Sequence, residues 1–218
     1  ENEYRTKEDG SGNMFLAKAD YVYPITEKAK LEAGYQLRTS KTTNDYRYQT
    51  MQSEWIDDPS QHNPYVYTMN VQSGYVIFSN YFKTLGYQLG LRTEYTDRVF
   101  LQTLTNQEWT NADQNKFDFF PSVHLSYQFP ADFQILASYS RRLERPRPWF
   151  LNPFIEVVDP NTVRVGNPYL KNQYINSFDL SFQKKFGDHY VAIEAYYRET
   201  VDKINRVNRV DSNNPDIF

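Results

Sequence analysis

Eight stretches of this sequence place an apolar residue at every second position, and a period of two belongs to strands rather than helices. The fifth stretch shows it best. Phe117, Phe119, Pro121, Val123, Leu125 and Tyr127 hold one parity, and Asp118, Ser122, His124, Ser126 and Gln128 hold the other, with Phe120 the exception. The others run from Phe15 to Tyr23, Leu31 to Leu37, Tyr65 to Ile77, Leu85 to Leu91, Phe133 to Tyr139, Phe178 to Phe182 and Val191 to Tyr197. At 3.6 residues per turn a helix would sweep the charged parity onto the apolar face. The chain therefore reads as all-β.

The connections sort by length. Pro24 to Lys28, Asn80 to Thr84, Phe129 to Asp132 and Lys184 to His189 are short and rich in turn formers. Between them lie long links, roughly Ser40 to Pro64, Asp97 to Asn115 and Arg142 to Asn172. Strict alternation of short and long puts all short turns at one end of an up-and-down meander. Greek-key sandwiches have no reason to sort their loops this way, whereas outer-membrane barrels do. The closing stretch, Asp211 to Phe218, does not alternate and contains Pro215. It reads as part of another long loop.

Which way the apolar parity points decides between a soluble barrel, apolar inside, and a membrane barrel, apolar outside. The charges Lys18, Asp20, Lys30, Glu32, Arg38, Arg92, Glu94, Asp179, Glu194 and Arg198 share the polar parity, but a soluble surface would show the same. Composition adds a second argument. With 19 Tyr, 15 Phe and 3 Trp, 17% of the 218 residues are aromatic while only 39% are hydrophobic. Tyr21, Tyr23, Tyr81, Phe82, Tyr127, Phe129, Phe133, Phe186 and Tyr190 crowd the short-turn ends, as an interfacial girdle would. A membrane barrel follows, with Leu89, Val123 and Leu125 facing lipid. The third stretch is read the same way, Tyr65, Tyr67, Met69, Val71, Tyr75 and Ile77 outward.

Other classes recede. No apolar run exceeds four residues, far short of the roughly 20 a membrane helix needs. A net charge of −3 gives no basic face for nucleic acid. With no Cys, thiolate metal sites and a Cys nucleophile are out. His62, His124 and His189 have no metal-ligand spacing. No metal and no cofactor is expected. His124 projects between Ser122 and Ser126, but same-face neighbours on one strand sit about 7 Å apart, too far for direct proton transfer. Asp57 and Asp58 are adjacent carboxylates without further support for a glycosidase pair. Gly34, Gly86 and Gly90 read as strand kinks.

Several segments resemble a known family. Ala19-Asp-Tyr-Val-Tyr-Pro24, Lys30-Leu-Glu-Ala-Gly34, Gly90-Leu-Arg-Thr-Glu-Tyr95, Phe120-Pro-Ser-Val-His-Leu-Ser-Tyr127, Tyr139-Ser-Arg-Arg142 with Arg145-Pro146, Leu151-Asn-Pro-Phe154 and Gly166-Asn-Pro-Tyr-Leu170 look like the outer-membrane barrel of Bacteroidetes TonB-dependent receptors. The match runs the whole chain in family order. The resemblance implies a barrel of about 22 strands around an N-terminal plug, importing a nutrient through TonB without catalysing a reaction. Residues 1–218 would then be an eight-stranded segment of that barrel, with no plug domain in the sequence. Expected partners are outer-membrane lipid and lipopolysaccharide, the TonB complex through a plug absent from this chain, and an unidentified ligand.

In that frame Arg92, Glu94, His124, Glu194 and Arg198 line the lumen. Trp55, Trp109, Arg145, Arg147, Trp149, Phe150 and Tyr169 sit in the long loops as candidate ligand contacts, since exposed rings and guanidiniums grip sugars, peptides and chelates. Tyr46 and Tyr48 fall in the same loops. The same rings could instead pack on one another, and Arg141, Arg142, Arg145 and Arg147 suit an ordering role as well as an anion. Two other readings stay open: a complete eight-stranded barrel with a structural, adhesive or enzymatic role, and a soluble lipocalin-like carrier.

Overall fold

The computed structural model describes residues 3–110, 117–159 and 161–210. The expected loop end near Asn115 and the tail 211–218 lie outside them. In chain order the elements are β1 (Tyr4–Pro24), β2 (Lys30–Met51), β3 (Trp55–Phe82), β4 (Leu85–Gln102), β5 (Gln107–Thr110), β6 (Phe117–Phe129), β7 (Phe133–Glu144), the single-turn α1 (Pro148–Leu151), β8 (Glu156–Asp159), β9 (Thr162–Arg164), β10 (Gln173–Phe186) and β11 (His189–Val201). Eight of the strands form one antiparallel meander in the order β1-β2-β3-β4-β6-β7-β10-β11, curled into a half-barrel. β5 folds back on β4, and β8 and β9 make a separate hairpin. The four short links read from the sequence all lie at one end, as the loop lengths predict.

Register fixes the faces, because residues directly opposite one another share a side. Glu94 stands opposite Ser73 on β3 and Asp118 on β6. Lower down, one row reads Gln88, His124, Ser138, Asp179 and Tyr196 across five strands. These are inner-face residues. The outer face carries Tyr23, Tyr21, Ala19, Ala17 and Phe15 on β1, and Leu85, Tyr87, Leu89, Leu91, Thr93 and Tyr95 on β4. Leu89 and Leu125 keep 47% and 43% of their surface open on this side, while Glu94 keeps 8%. Tyr139, Phe178 and Tyr197 continue the outer surface across β7, β10 and β11, with ring centroids 4.8 and 6.2 Å apart. The greasy face thus looks outward.

That belt spans about nine residues per strand, the length needed to cross a bilayer core at a tilt near 45°. The strands go further. β1 has 21 residues and β2 has 22, roughly 70 Å of extended chain at about 3.3 Å per residue. Beyond Phe15 the outer face turns to Asn13, Ser11 and Asp9, opposite Lys41, Thr43 and Asp45 on β2.

Here the structure corrects the sequence. The expected loop from Ser40 to Pro64 is mostly strand, closed by a tight turn in which the Gln52 amide donates to the Glu54 carbonyl at 3.0 Å. The outer face of this extension meets water and part of its inner face meets the 145–172 segment through polar groups, so apolar alternation stops although pairing continues. Polar cross-strand contacts replace it: the Ser11 and Thr43 hydroxyls lie 2.7 Å apart, and the Asn44 amide donates to Glu8 at 2.7 Å.

The third strand is corrected too. Tyr65, Tyr67, Met69, Val71, Tyr75 and Ile77 share the inner face with Arg92 and Glu94. Val76 and Phe78 point outward instead, and above them Gln72, Asn70 and Thr68. At that height the outside is aqueous and the inside is covered by the 145–172 segment, which reverses the usual polarity. The glycines differ as well. A Cβ at Gly34 would sit 2.6 Å from Asp20 Oδ1 and 2.7 Å from Tyr75 Cζ, because Tyr75 reaches over Gly34 to donate to Asp20 at 2.5 Å. Gly34 supplies clearance, not a kink.

Candidate functional site

Between β7 and β10 the chain folds inward instead of looping away. Residues 145–172 carry α1 and the β8–β9 hairpin and seat them on the inner face of β3 and β4 at the barrel mouth. The seat is apolar at its centre: Tyr65 stacks on Phe100 with centroids 4.8 Å apart, Leu151 closes over them, and Tyr67, Met69 and Leu170 complete the cluster. Leu151 is 2% exposed. Burying it is worth about 2 kcal/mol on area grounds, which makes it the main apolar anchor of the segment.

Polar groups fix the orientation around that anchor. The Gln102 amide donates to Asn63 Oδ1 at 2.9 Å, Asn63 donates to Asn152 at 3.3 Å, and Asn152 donates to Glu156 at 2.7 Å. Arg164 donates to the other Glu156 oxygen at 3.0 and 2.5 Å. Burial works against the Arg164 charge, but the Glu156 carboxylate outweighs it and holds the guanidinium above its ordinary pKa. On the far side the Tyr46 hydroxyl donates to the Val157 carbonyl at 2.5 Å, and the Val157 amide donates to Gln61 at 3.3 Å. Tyr46 is therefore a strand residue gripping the hairpin.

The Asn-Pro motifs clasp each other. The Gly166 amide donates to the Asn152 carbonyl at 2.6 Å and the Asn167 amide to the Phe150 carbonyl at 2.7 Å. A Cβ at Gly166 would lie 2.5 Å from the Phe150 oxygen and 2.7 Å from the Asn152 oxygen, so only glycine permits this approach. Beyond it, Arg98 donates to the Leu170 carbonyl at 2.8 Å and to Asn172 at 3.4 Å.

Arg145 closes the near end. It donates to Glu94 at 2.5 Å and to Thr96 at 2.8 Å, while Arg92 donates to the other Glu94 oxygen at 2.8 Å and to Ser73 at 2.7 Å. Glu94 is thus a shared anchor of wall and insertion, and Arg145 is a tie more than a free hand. Arg147 occupies the N-cap position of α1. Trp149 and Phe150 stack at 3.6 Å, with the Arg164 guanidinium 5.9 Å from the Trp149 ring centre. Tyr169 stays exposed. Trp55 sits at the start of β3, under the Arg5 guanidinium at 4.3 Å. Trp109 pairs through its backbone with Phe100, and its side chain lies outside the described part.

Towards the turn end the inner face holds a hollow of about 480 Å³, lined by Gln88, His124, Ser138, Asp179, Glu194 and Tyr196 among others. Ser138 donates to Asp179 at 3.1 Å, so its proton points to the carboxylate and away from His124. Arg198 lies on the same face, opposite Ser177. Asp57 accepts from Gln49 at 2.5 Å and Asp58 from the Ser60 amide at 2.9 Å, both locally. Among the described residues no group of three or more His, Cys, Asp or Glu is placed to hold a metal.

The sequence did not point to Asn63, Tyr65, Tyr67, Arg98, Phe100 and Gln102 as the seat. A signal existed: on β3 the parity of Tyr65 and Tyr67 also carries Asn63 and Ser73, polar residues a lipid face would not hold.

A family model described as outer membrane protein beta-barrel family matches residues 1–218. A search of curated protein sequences returns no match. Among solved structures, the ferric citrate transporter FecA in its unliganded form superimposes with a TM-score of 0.61 at 8% identity, over 95% of this chain and 30% of that one. The chain thus spans 30% of that transporter's length, and the likeness is one of fold. The siderophore receptor PirA from Pseudomonas aeruginosa aligns at a TM-score of 0.40 and 10% identity, over 90% of this chain and 49% of that one, too loosely to bear on the argument.

Proposed function

Because this chain belongs to the outer membrane protein beta-barrel family and resides in the bacterial outer membrane, we propose that it walls a TonB-dependent receptor that imports a nutrient ligand and catalyses no reaction. The observation that carries the reading is the inward-folded insertion. A segment seated across the inner face at the mouth narrows the lumen and presents Trp149, Phe150 and Tyr169 where an incoming solute first meets the barrel. A purely structural barrel gains nothing from a shaped entrance. The fold likeness to a transporter supports the same reading. β1 and β11 do not pair with each other, which favours a place in a larger ring of about 22 strands over a closed ring of eight. The TonB complex, engaged through a plug domain, and lipopolysaccharide around the belt are the partners this reading requires.

Growth on single-nutrient media tests it. A strain lacking this protein and a strain lacking TonB should fail on the same nutrient among metal chelates, oligosaccharides and peptides. If the first strain grows on every medium that defeats the second, the importer reading falls.

A further inference from the structure

The wall parts beside the insertion. β6 and β7 pair from Phe129 opposite Phe133 up to Ser122 opposite Ser140, and there their ladder stops. Neither strand ends at that height. β6 goes on pairing with β4 as far as Phe117 opposite Tyr95, and β7 with β10 as far as Glu144 opposite Gln173. Pro121 stands at the parting, and a proline has no N–H to give a ladder.

Contacts across the parting join opposite faces. Tyr174 stands opposite Leu143 and shares the outer parity of Tyr139 and Phe178, yet its hydroxyl donates to Asp118, on the inner parity of β6. Arg141, also of outer parity, holds its guanidinium 4.7 Å from the Tyr174 ring centre. Just past β7, Arg145 reaches Glu94 and Thr96 on the inner face of β4. An outer face meets an inner face in this way only if the tops of β7 and β10 have passed inside β6. The margins overlap as a lapped seam. Phe120, the residue that breaks the alternation of its stretch, fits this arrangement: it is of inner parity but only 8% exposed, as a ring beneath the lapped edge must be.

The insertion supplies the pull. It starts from β7, ends at β10 and is seated on β3 and β4, so the seat draws both strand tops off the wall. Continuing the register of Ser122 and Ser140 would set Phe119 opposite Leu143 on the outside and Asp118 opposite Glu144 on the inside. Each arrangement carries a cost. In the lapped seam Asp118 Oδ2 and Arg141 Nε are buried without a hydrogen-bond partner, which is unfavourable, the more so on charged groups. Closing the ladder would return Arg141 to the outer side and Asp118 to the lumen and add main-chain bonds, but it would set two carboxylates face to face. Opposed costs of this kind suit an element with two positions.

We propose that the insertion and the tops of β7 and β10 form one hinged leaf with two positions: seated on β3 and β4 with the seam lapped, or released with β6 and β7 zipped and the mouth open. The Ser122–Ser140 pair is the hinge, and the Asp118–Tyr174 and Glu94–Arg145 contacts are the latch. Seating and zipping exclude each other, because β7 cannot lie inside β6 and beside it at once. The leaf is a property of the wall and does not depend on the importer reading.

The chain has no Cys, so a pair of introduced cysteines reports the leaf directly. Residues opposite one another in an antiparallel ladder lie about 4.5 to 5.5 Å apart at Cα, within disulfide range. Phe119→Cys with Leu143→Cys comes opposite only in the zipped position, whereas Val123→Cys with Tyr139→Cys is opposite in both. Oxidation of the protein in outer-membrane vesicles, read by thiol-specific mass labelling, gives the closing rate of each pair. The control pair should close in every background. The reporter pair should close slowly in the parent and about tenfold or more faster with Leu151→Ala, which unseats the insertion. Glu144→Gln, at an exposed position, should quicken it a few-fold by removing one of the facing carboxylates, and it decides the matter if Leu151→Ala does not fold. A reporter pair that closes as fast as the control in the parent, or no faster in a folded variant than in the parent, overturns the leaf. No nutrient enters the readout, so either result leaves the growth test to judge the importer reading by itself.

Discussion

Glu94 shows how much one side chain can hold. It is nearly buried, and two guanidiniums from different parts of the chain donate to its two oxygens. Removing one partner of a buried ion cluster leaves the others desolvated and unpaired, which costs about 3 kcal/mol where burial is deep. Glu94→Gln should therefore lower stability by roughly that amount, read as an earlier urea midpoint in detergent, with most of the loss through Arg145, the better buried of its two partners. A midpoint equal to the parent's would mean that water already screens the cluster. Gly34 works by what it lacks. Gly34→Ala would push a methyl into the Tyr75–Asp20 contact, and the tyrosine would have to leave Asp20. Gly34→Ala should therefore bring an earlier urea midpoint in detergent, and the loss should shrink in a Tyr75→Phe background. Equal losses in both backgrounds would show that the ring gives way without breaking its bond.

At the scale of elements the insertion is the part most sensitive to a single change. Gly166→Ala cannot be accommodated without separating the Gly166 amide from the Asn152 carbonyl and the following Asn167 from Phe150. The expected result is rapid proteolysis within 145–172 and an intact strand core. Equal resistance in parent and variant would contradict the clasp. This element also marks where sequence reasoning stops. The strands in the belt were legible because lipid on one side and polar lumen on the other impose opposite demands at successive positions. Above the belt β1, β2 and β3 keep pairing, but Ser11, Asn13 and Thr43 face water on the outside while Asn44 and Asn63 stand on the inside, so both parities are polar and leave no period to read. Tyr65 and Tyr67 misled for a different reason. Their burial comes from residues far along the chain, 89 positions away in the neighbouring Asn63–Asn152 bond, and no local pattern encodes a cover supplied from so far away. Arg145 enters the sequence reading as a candidate ligand contact within a basic stretch that also suits ordering the loop, and in the structure it ties the insertion to Glu94.

For the whole molecule, the two faces make opposite predictions for the same substitution. Leu89 lies in the middle of the outer belt, so Leu89→Arg should cost about 2 to 4 kcal/mol and lower the yield of folded protein in the outer membrane. Ser122, on the inner face of the adjacent strand, should accept Arg with far less penalty. Equal losses at both positions would mean that the faces are reversed. The sorted turns add a sidedness test. A cysteine at Glu54, in the turn beyond the long strands, should react with a membrane-impermeant maleimide on intact cells, and one at Thr84, in a tight turn, should not.

The double-length pairing of β1 with β2, and of β2 with β3, has a consequence for how such a protein meets its surroundings. A ladder of main-chain hydrogen bonds carries its tip outward as a stiff mast, so Trp55 and Arg5 sample space by swaying together and not by independent coiling. Adding two residues to each leg would move that tip outward by nearly 7 Å and leave every rung beneath it unchanged. Adding one would rotate each side chain beyond the insertion to the opposite flank. Reach can therefore drift in paired steps without disturbing the anchored part, a freedom that an irregular loop of the same length would not have.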